Sequence, residues 1–194
     1  MSKFDKDLGV IGLGYVGLPL VVESCKSGLK VLGYDNNSEK VNNLQKGSSP
    51  IEDISDESLK EALDKGLIIS DSPEGLKDCE HVVISVPTPL TDYQPDLSYV
   101  KAAAQTIANN ISKDQIIILE STTYPGTTIE VLIPEIESIT ELKAGKDFYV
   151  GYSPERIDPG NETWNFKNTP KVVSGIDEIS VSYTHLTLPT KRIV

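Results

Sequence analysis

A doubly wound α/β fold, a parallel sheet with helices on both faces, is predicted by three observations. Short apolar runs of strand length alternate along the chain with longer amphipathic segments. Some of those runs are apolar at every position, as in Ile116-Ile117-Ile118-Leu119. Strands of that kind are buried on both faces, which is the situation in a parallel sheet. Glycines close the amphipathic segments at the points where helices must stop. Helical crossovers of one hand then wind the sheet in both directions.

The elements follow in order. Leu8–Ile11 is the first strand, and Tyr15–Ser27 a helix with Gly28 as its stop. Lys30–Tyr34 is the second strand. Ser38–Gln45, closed by Gly47, and Asp56–Asp64, stopped by Gly66, are helices. Leu67–Ser70 is strand-like, and Ser72–Leu76 a short helix with a Ser-Pro start. His81–Val86 is a fourth strand ended by Pro87, and Thr88–Pro95 is a polar, proline-bearing loop. Asp96 caps a helix over Leu97–Asn110. Gln115–Leu119 is the fifth strand, and Gly126 precedes a helix from Thr127 to Glu137. Phe148–Val150 is the sixth strand, Gly151–Thr169 a long irregular loop and Lys171–Ser174 the last strand.

Val181–Val194 contains none of the chain's 29 acidic residues and breaks the strand–helix rhythm. It resembles adapter DNA translated onto a truncated reading frame. The expected organisation is one domain over 1–180 and a non-native tail over 181–194.

Composition narrows the function classes. With 194 residues the chain is long enough for a proper core. A formal net charge of −11 disfavours nucleic-acid binding, which needs clustered Lys and Arg. It leaves nucleotide ligands open, because backbone N–H groups at a helix start hold phosphates without basic side chains. No apolar run reaches the length of a membrane span, and the first residues lack the apolar core of a secretion signal; a cytoplasmic protein is expected. Cys25 and Cys79 form neither a metal-ligand pattern nor a disulfide framework, and both read as small buried hydrophobes. His81, at the start of an apolar strand, reads as structural.

Four segments carry chemistry. Gly12-Leu13-Gly14-Tyr15-Val16-Gly17 follows a strand and opens a helix. In that context Gly12 makes the tight turn, Gly14 admits a pyrophosphate to the backbone and Gly17 lets helix and strand pack closely. Asp35 closes the second strand, where a carboxylate accepts from ribose hydroxyls and repels a 2′-phosphate. The fold is thus Rossmann-type, with NAD favoured over NADP. Ser85-Val86-Pro87-Thr88-Pro89 ends the fourth strand, at the edge where such sheets bind ligands; Thr88 offers a hydroxyl there, or the segment simply terminates the strand. Glu120-Ser121-Thr122-Thr123-Tyr124-Pro125-Gly126 places hydroxyls beside the expected nicotinamide position, and equally reads as a capped helix start. In Tyr152-Ser153-Pro154-Glu155-Arg156-Ile157-Asp158-Pro159-Gly160, Glu155 suits proton transfer and Arg156 an anionic group, unless they form a surface ion pair.

These four motifs, in this order over roughly residues 7–180, resemble the UDP-glucose/GDP-mannose dehydrogenase family. The glycine loop, Pro87-Thr88-Pro89, Ser121-Thr122 and Ser153-Pro154-Glu155 carry the resemblance. Pro87-Thr88-Pro89-Leu90-Thr91 with Pro95-Asp96-Leu97-Ser98-Tyr99-Val100, and Ser153-Pro154-Glu155-Arg156-Ile157, are similar to the branch acting on UDP-N-acetylhexosamines. UDP-N-acetylglucosamine is the favoured substrate, with UDP-N-acetylmannosamine and UDP-glucose as alternatives.

The resemblance implies oxidation of a sugar C6 alcohol to a carboxylate by two successive NAD+, through a cysteine-bound thiohemiacetal and thioester. It implies that Glu155 acts on water or relays a proton and that Thr122 holds that water. Gly12, Gly14, Tyr15, Val16, Gly17, Asp35, Thr88 and Thr122 would line the cofactor site, with Arg156 a weaker candidate for substrate contact. No metal is implied, and the full-length parent is expected to be a homo-oligomer. The family's nucleophilic cysteine, central dimerisation helix and UDP-binding domain have no counterpart here, since neither Cys25 nor Cys79 matches it, so the chain as given is expected not to turn over. Two competing expectations are a 6-phosphogluconate or 3-hydroxyacyl dehydrogenase relative, which would lack the Ser153–Gly160 segment, and a non-catalytic NAD-binding module.

Overall fold

The computed structural model describes residues 3–91, 93–156, 169 and 171–181. Seven strands form the main sheet in the order β3-β2-β1-β4-β7-β8-β9. They are β1 (Lys6–Ile11), β2 (Val31–Tyr34), β3 (Ile68–Ser70), β4 (Cys79–Ile84), β7 (Ile116–Leu119), β8 (Tyr149–Tyr152) and β9 (Ser174–Gly175). Pairing is parallel from β3 through to β8. The order reverses at β1, so the chain winds outward first through β2 and β3 and then through β4, β7 and β8. This is the doubly wound α/β fold expected from the apolar pattern.

Successive residues of the central strands go alternately to two apolar layers. Leu8, Val10, Val83, Ile116 and Ile118 join the layer roofed by the helices α1 (Gly17–Lys26), α2 (Ser38–Gln45) and α3 (Asp56–Asp64). Ile11, Val82, Ile84, Ile117 and Leu119 join the opposite layer, roofed by α4 (Ser98–Ala108) and α5 (Ile133–Ile139). The continuous isoleucine run is therefore buried on both sides. Cys25, Cys79 and His81 are buried in this framework, as expected. Burial pushes the Cys79 thiol up to about 12 and raises that of Cys25. His81 sits between Leu8 and Ile116 in the sheet, and burial lowers its pKa.

Helices α2 and α3 have the expected ends because local chemistry sets them. Asn37 and Ser55 accept the N–H groups of Lys40 and Ser58, and Gly47 and Gly66 follow with positive φ. Other boundaries differ. Helix α1 begins at Gly17 instead of Tyr15, since Tyr15 and Val16 belong to the turn that enters it. Strand β4 begins at Cys79 and ends at Ile84, two residues short of Val86. The expected helix from Thr127 is a wide π turn over Thr128–Leu132 followed by α5. Pro134 has no N–H to return to the preceding turn, so regular α-helix starts only there.

The loop before α4 contains a small antiparallel hairpin, β5 (Leu90–Thr91) with β6 (Gln94–Pro95). Asp96 accepts the Ser98 N–H at the start of α4, close to the capping role expected of it. The last strand is shorter than Lys171–Ser174 and pairs antiparallel with β8, so the sheet is not wholly parallel. Most of the expected loop after β8 and of the tail 181–194 lies outside the described residues. No helix among the described residues is long and apolar enough to cross a membrane.

Candidate functional site: a cleft at the carboxyl edge of the sheet

The turn after β1 is built around two glycines that admit no side chain. Gly12 has φ +94° and donates its N–H to the Tyr34 carbonyl at 2.8 Å. A methyl group at Gly17 would overlap the Gly12 carbonyl oxygen, so the first turn of α1 rests directly on the strand end. At Gly14 the same construction meets nothing within 4 Å. This glycine faces open space at the mouth of the helix. Helix α1 starts with no side-chain cap and no acidic residue in its first turn. Its positive end is left for an incoming anion.

That mouth opens on a cleft of about 430 Å³. Gly12, Gly14, Tyr15, Val16, Asp35, Thr88, Thr122 and Glu155 all line it. Gly17 is buried behind the turn. Arg156 is exposed and does not line the cleft; its N–H donates to Glu155 Oε1 at 2.7 Å. A neighbouring cleft of about 250 Å³ continues past Asp35 between α2 and α4.

Asp35 is 6% exposed and serves the turn before any ligand arrives. Its Oδ2 accepts from the Leu13 N–H at 2.9 Å and from Lys40 Nζ at 2.8 Å. Its Oδ1 accepts from the Asn37 N–H at 3.0 Å. A carboxylate offers about four acceptor positions, so one remains for a ribose hydroxyl. Lys40 was not singled out in the sequence. Its position one turn into the helix after Asp35 was the available signal.

The loops after β4 and β7 are stitched together. Thr88 Oγ1 donates to the Thr122 carbonyl at 2.5 Å, and Ser121 Oγ donates to the Val86 carbonyl at 2.9 Å. The Thr88 proton expected for a ligand is thus committed to the neighbouring loop, and the hydroxyl keeps its acceptor capacity. After β8, the Ser153 N–H bonds Leu119 O at 3.0 Å and seats the Glu155 segment beside β7.

Sequence reasoning assigns Glu120 no role of its own. Its side chain is wholly buried and paired with Lys171, itself 5% exposed. Burial raises the Glu120 pKa; Lys171 pulls it back and the charge of Glu155 adds to the rise. Glu120 Oε2 and Ser85 Oγ are buried at this cleft without hydrogen-bond partners. Orphan polar atoms, an open Gly14 and an uncapped helix together suit a polar, anionic dinucleotide.

The family model of the UDP-glucose/GDP-mannose dehydrogenase family, NAD binding domain, matches residues 6–186. A UDP-N-acetyl-D-glucosamine 6-dehydrogenase of Salmonella typhi is 40% identical over 169 residues, 87% of this chain and 39% of its own length. A UDP-N-acetyl-D-mannosamine dehydrogenase of Pyrococcus horikoshii is 39% identical over 173 residues, 88% of this chain and 41% of its own. The solved structure of a UDP-D-ManNAc dehydrogenase from Pyrococcus horikoshii superposes with a TM-score of 0.88 at 36% identity, covering 94% of this chain and 44% of that one. The chain therefore spans about two fifths of the length of these relatives. The fold is that of a Rossmann-type domain, and the chain belongs to the UDP-glucose/GDP-mannose dehydrogenase family as its NAD-binding domain.

Proposed function

We propose that this chain is the NAD-holding part of a UDP-N-acetylhexosamine 6-dehydrogenase, with UDP-N-acetylglucosamine favoured. The observation that carries the reading is that one cleft collects the glycine turn, Asp35, Thr88, Thr122 and Glu155 from five separate segments. The turn formed by Gly12, Gly14, Tyr15, Val16 and Gly17 presents the helix N-terminus to a pyrophosphate. Asp35 takes a ribose hydroxyl with its remaining acceptor position, and Lys40 holds it in place. When bound, NAD+ accepts hydride; the protein positions it and excludes water. Thr88 and Thr122, tied to each other, border the nicotinamide end. Glu155 stands there to hold or move a proton, with Thr122 ordering the water it acts on. Arg156, exposed here, is the weaker candidate for contacting the sugar nucleotide.

The whole enzyme's reaction needs the nucleophilic thiol that neither Cys25 nor Cys79 supplies, both being buried away from the cleft. Calorimetric titration of the chain with NAD+ and NADP+ tests the cofactor half of the reading. Tighter NAD+ binding is expected, and equal binding refutes the role of Asp35. A chain of the same length as the UDP-N-acetylhexosamine dehydrogenases it resembles should release two NADH per sugar from UDP-N-acetylglucosamine, and more slowly from UDP-N-acetylmannosamine. The reverse preference would overturn the substrate assignment.

A further inference from the structure

Ser85 has no part in the roles above, although it stands in the middle of them. It is the first residue past β4 and continues the ladder, its N–H donating to the Ile11 carbonyl at 2.8 Å. Its backbone lies against the glycine turn, since a methyl group at Gly12 would come within 2.4 Å of the Ser85 carbonyl oxygen. Its side chain lies under the start of α1, since a methyl group at Gly17 would come within 3.3 Å of Ser85 Oγ. The residue is 8% exposed and borders the same cleft as Gly12, Gly14, Tyr15 and Val16.

The Ser85 hydroxyl has no hydrogen-bond partner among the described residues. The three residues before it, Val82, Val83 and Ile84, are buried and apolar. An alanine would continue that run and leave no polar atom unsatisfied, whereas a buried hydroxyl without a partner destabilises the fold. No bond holds its rotamer, and a rotation of about 120° about Cα–Cβ carries the oxygen on the order of 2 Å. The helix end beside it is short of donors. An ordinary helix start presents its first N–H groups unbonded. Here the Leu18 N–H already donates to the Gly14 carbonyl at 3.0 Å, and Pro19 has none to offer.

Resting on the cofactor reading above, we propose that Ser85 is a further donor to the dinucleotide's pyrophosphate. Its hydroxyl turns from under Gly17 to a phosphate oxygen when the cofactor binds. No charge moves and no other group is needed, because one O–H of the chain gains a charged acceptor. The unsatisfied hydroxyl of the free chain and the scarcity of donors at the helix end then answer each other. The free domain is less stable for carrying serine here, and the bound domain holds its cofactor more tightly.

Ser85→Ala in the 194-residue chain separates this from a structural role. Removing the unsatisfied atom should raise the melting temperature of the ligand-free chain by about 2–4 °C. Affinity for NAD+ and for ADP-ribose, followed by NMR titration, should fall about tenfold, the effect of one hydrogen bond to a charged acceptor. Affinity for adenosine, which has no pyrophosphate, should stay within about twofold of the wild type. Loosened packing cannot raise stability and weaken binding together. A variant that fails to fold, or does not melt above the wild type, overturns the proposal, because the hydroxyl then serves the fold. Unchanged affinity for NAD+ and ADP-ribose, or an equal loss for adenosine, overturns it as well. A wild-type chain that binds none of the three ligands refutes the cofactor reading instead.

Discussion

Gly14 and Gly17 lie in the same six-residue turn, and the structure predicts opposite consequences for the same substitution. In Gly17→Ala the new methyl overlaps the Gly12 carbonyl oxygen, a backbone atom that no rotamer change moves aside. The helix must withdraw from the strand by on the order of 1 Å, an overpacking cost of about 2 kcal/mol. For a domain of this size that is a fall of about 4–8 °C in melting temperature. In Gly14→Ala the methyl meets nothing within 4 Å, and the residue has no positive φ. Its melting temperature should stay within about 2 °C of the wild type, or rise slightly, since alanine loses less chain entropy than glycine. Yet that methyl stands where a pyrophosphate would meet the helix end. Loss of one or two charge-assisted hydrogen bonds weakens NAD+ by about tenfold to a hundredfold. Differential scanning fluorimetry and calorimetric titration of both variants separate the two effects. The reasoning fails if Gly14→Ala binds NAD+ like the wild type, or if Gly17→Ala melts with it.

Three further outcomes are expected. Asp35→Asn breaks the ion pair with Lys40 and releases that lysine toward a 2′-phosphate, so the preference for NAD+ over NADP+ should shrink about tenfold; an unchanged ratio contradicts the assignment. His81 has a lowered pKa from burial, so below about 6.5 the unfolded chain binds the proton more readily and stability falls with pH through that window. His81→Leu should flatten the difference in urea midpoint between pH 7.5 and 5.5, because the lowered carboxylates Glu61, Glu137 and Asp147 act only below their unfolded values and Glu120, raised, is common to both chains. Cys25 and Cys79 should resist Ellman's reagent in the native chain and react at the global unfolding rate; fast labelling of either would show the burial to be wrong.

What could be read in advance was what is written locally. Strand runs, helix periods and the stops at Gly28, Gly47 and Gly66 all act within a few residues, and so do the glycine turn and Asp35. Elements fixed by few residues or by distant partners were not legible. The β5–β6 hairpin has arms of two residues, too short for an alternation pattern. Strand β9 exists through its pairing with β8, and nothing in Ser174-Gly175 announces the antiparallel direction. Pro134 acts on the turn before it through the N–H it lacks, an effect felt one turn away from the residue itself. In the site, Thr88 and Thr122 meet across 34 positions, and Glu120 and Lys171 across 51. A lysine in a terminal apolar stretch reads as an ordinary solvated charge until the fold closes over it.

The sheet acts as a septum. Leu20 lies in the apolar layer on one side and Phe148 in the layer on the other, so damage at either should register separately and the two losses should sum in the double mutant. Both layers terminate at the same carboxyl rim, where the dinucleotide would lie across the ends of β1, β4 and β7. A bound cofactor then protects the molecule through mass action alone, by an amount set by its concentration relative to its dissociation constant. That protection should be equal whichever side of the septum has been weakened.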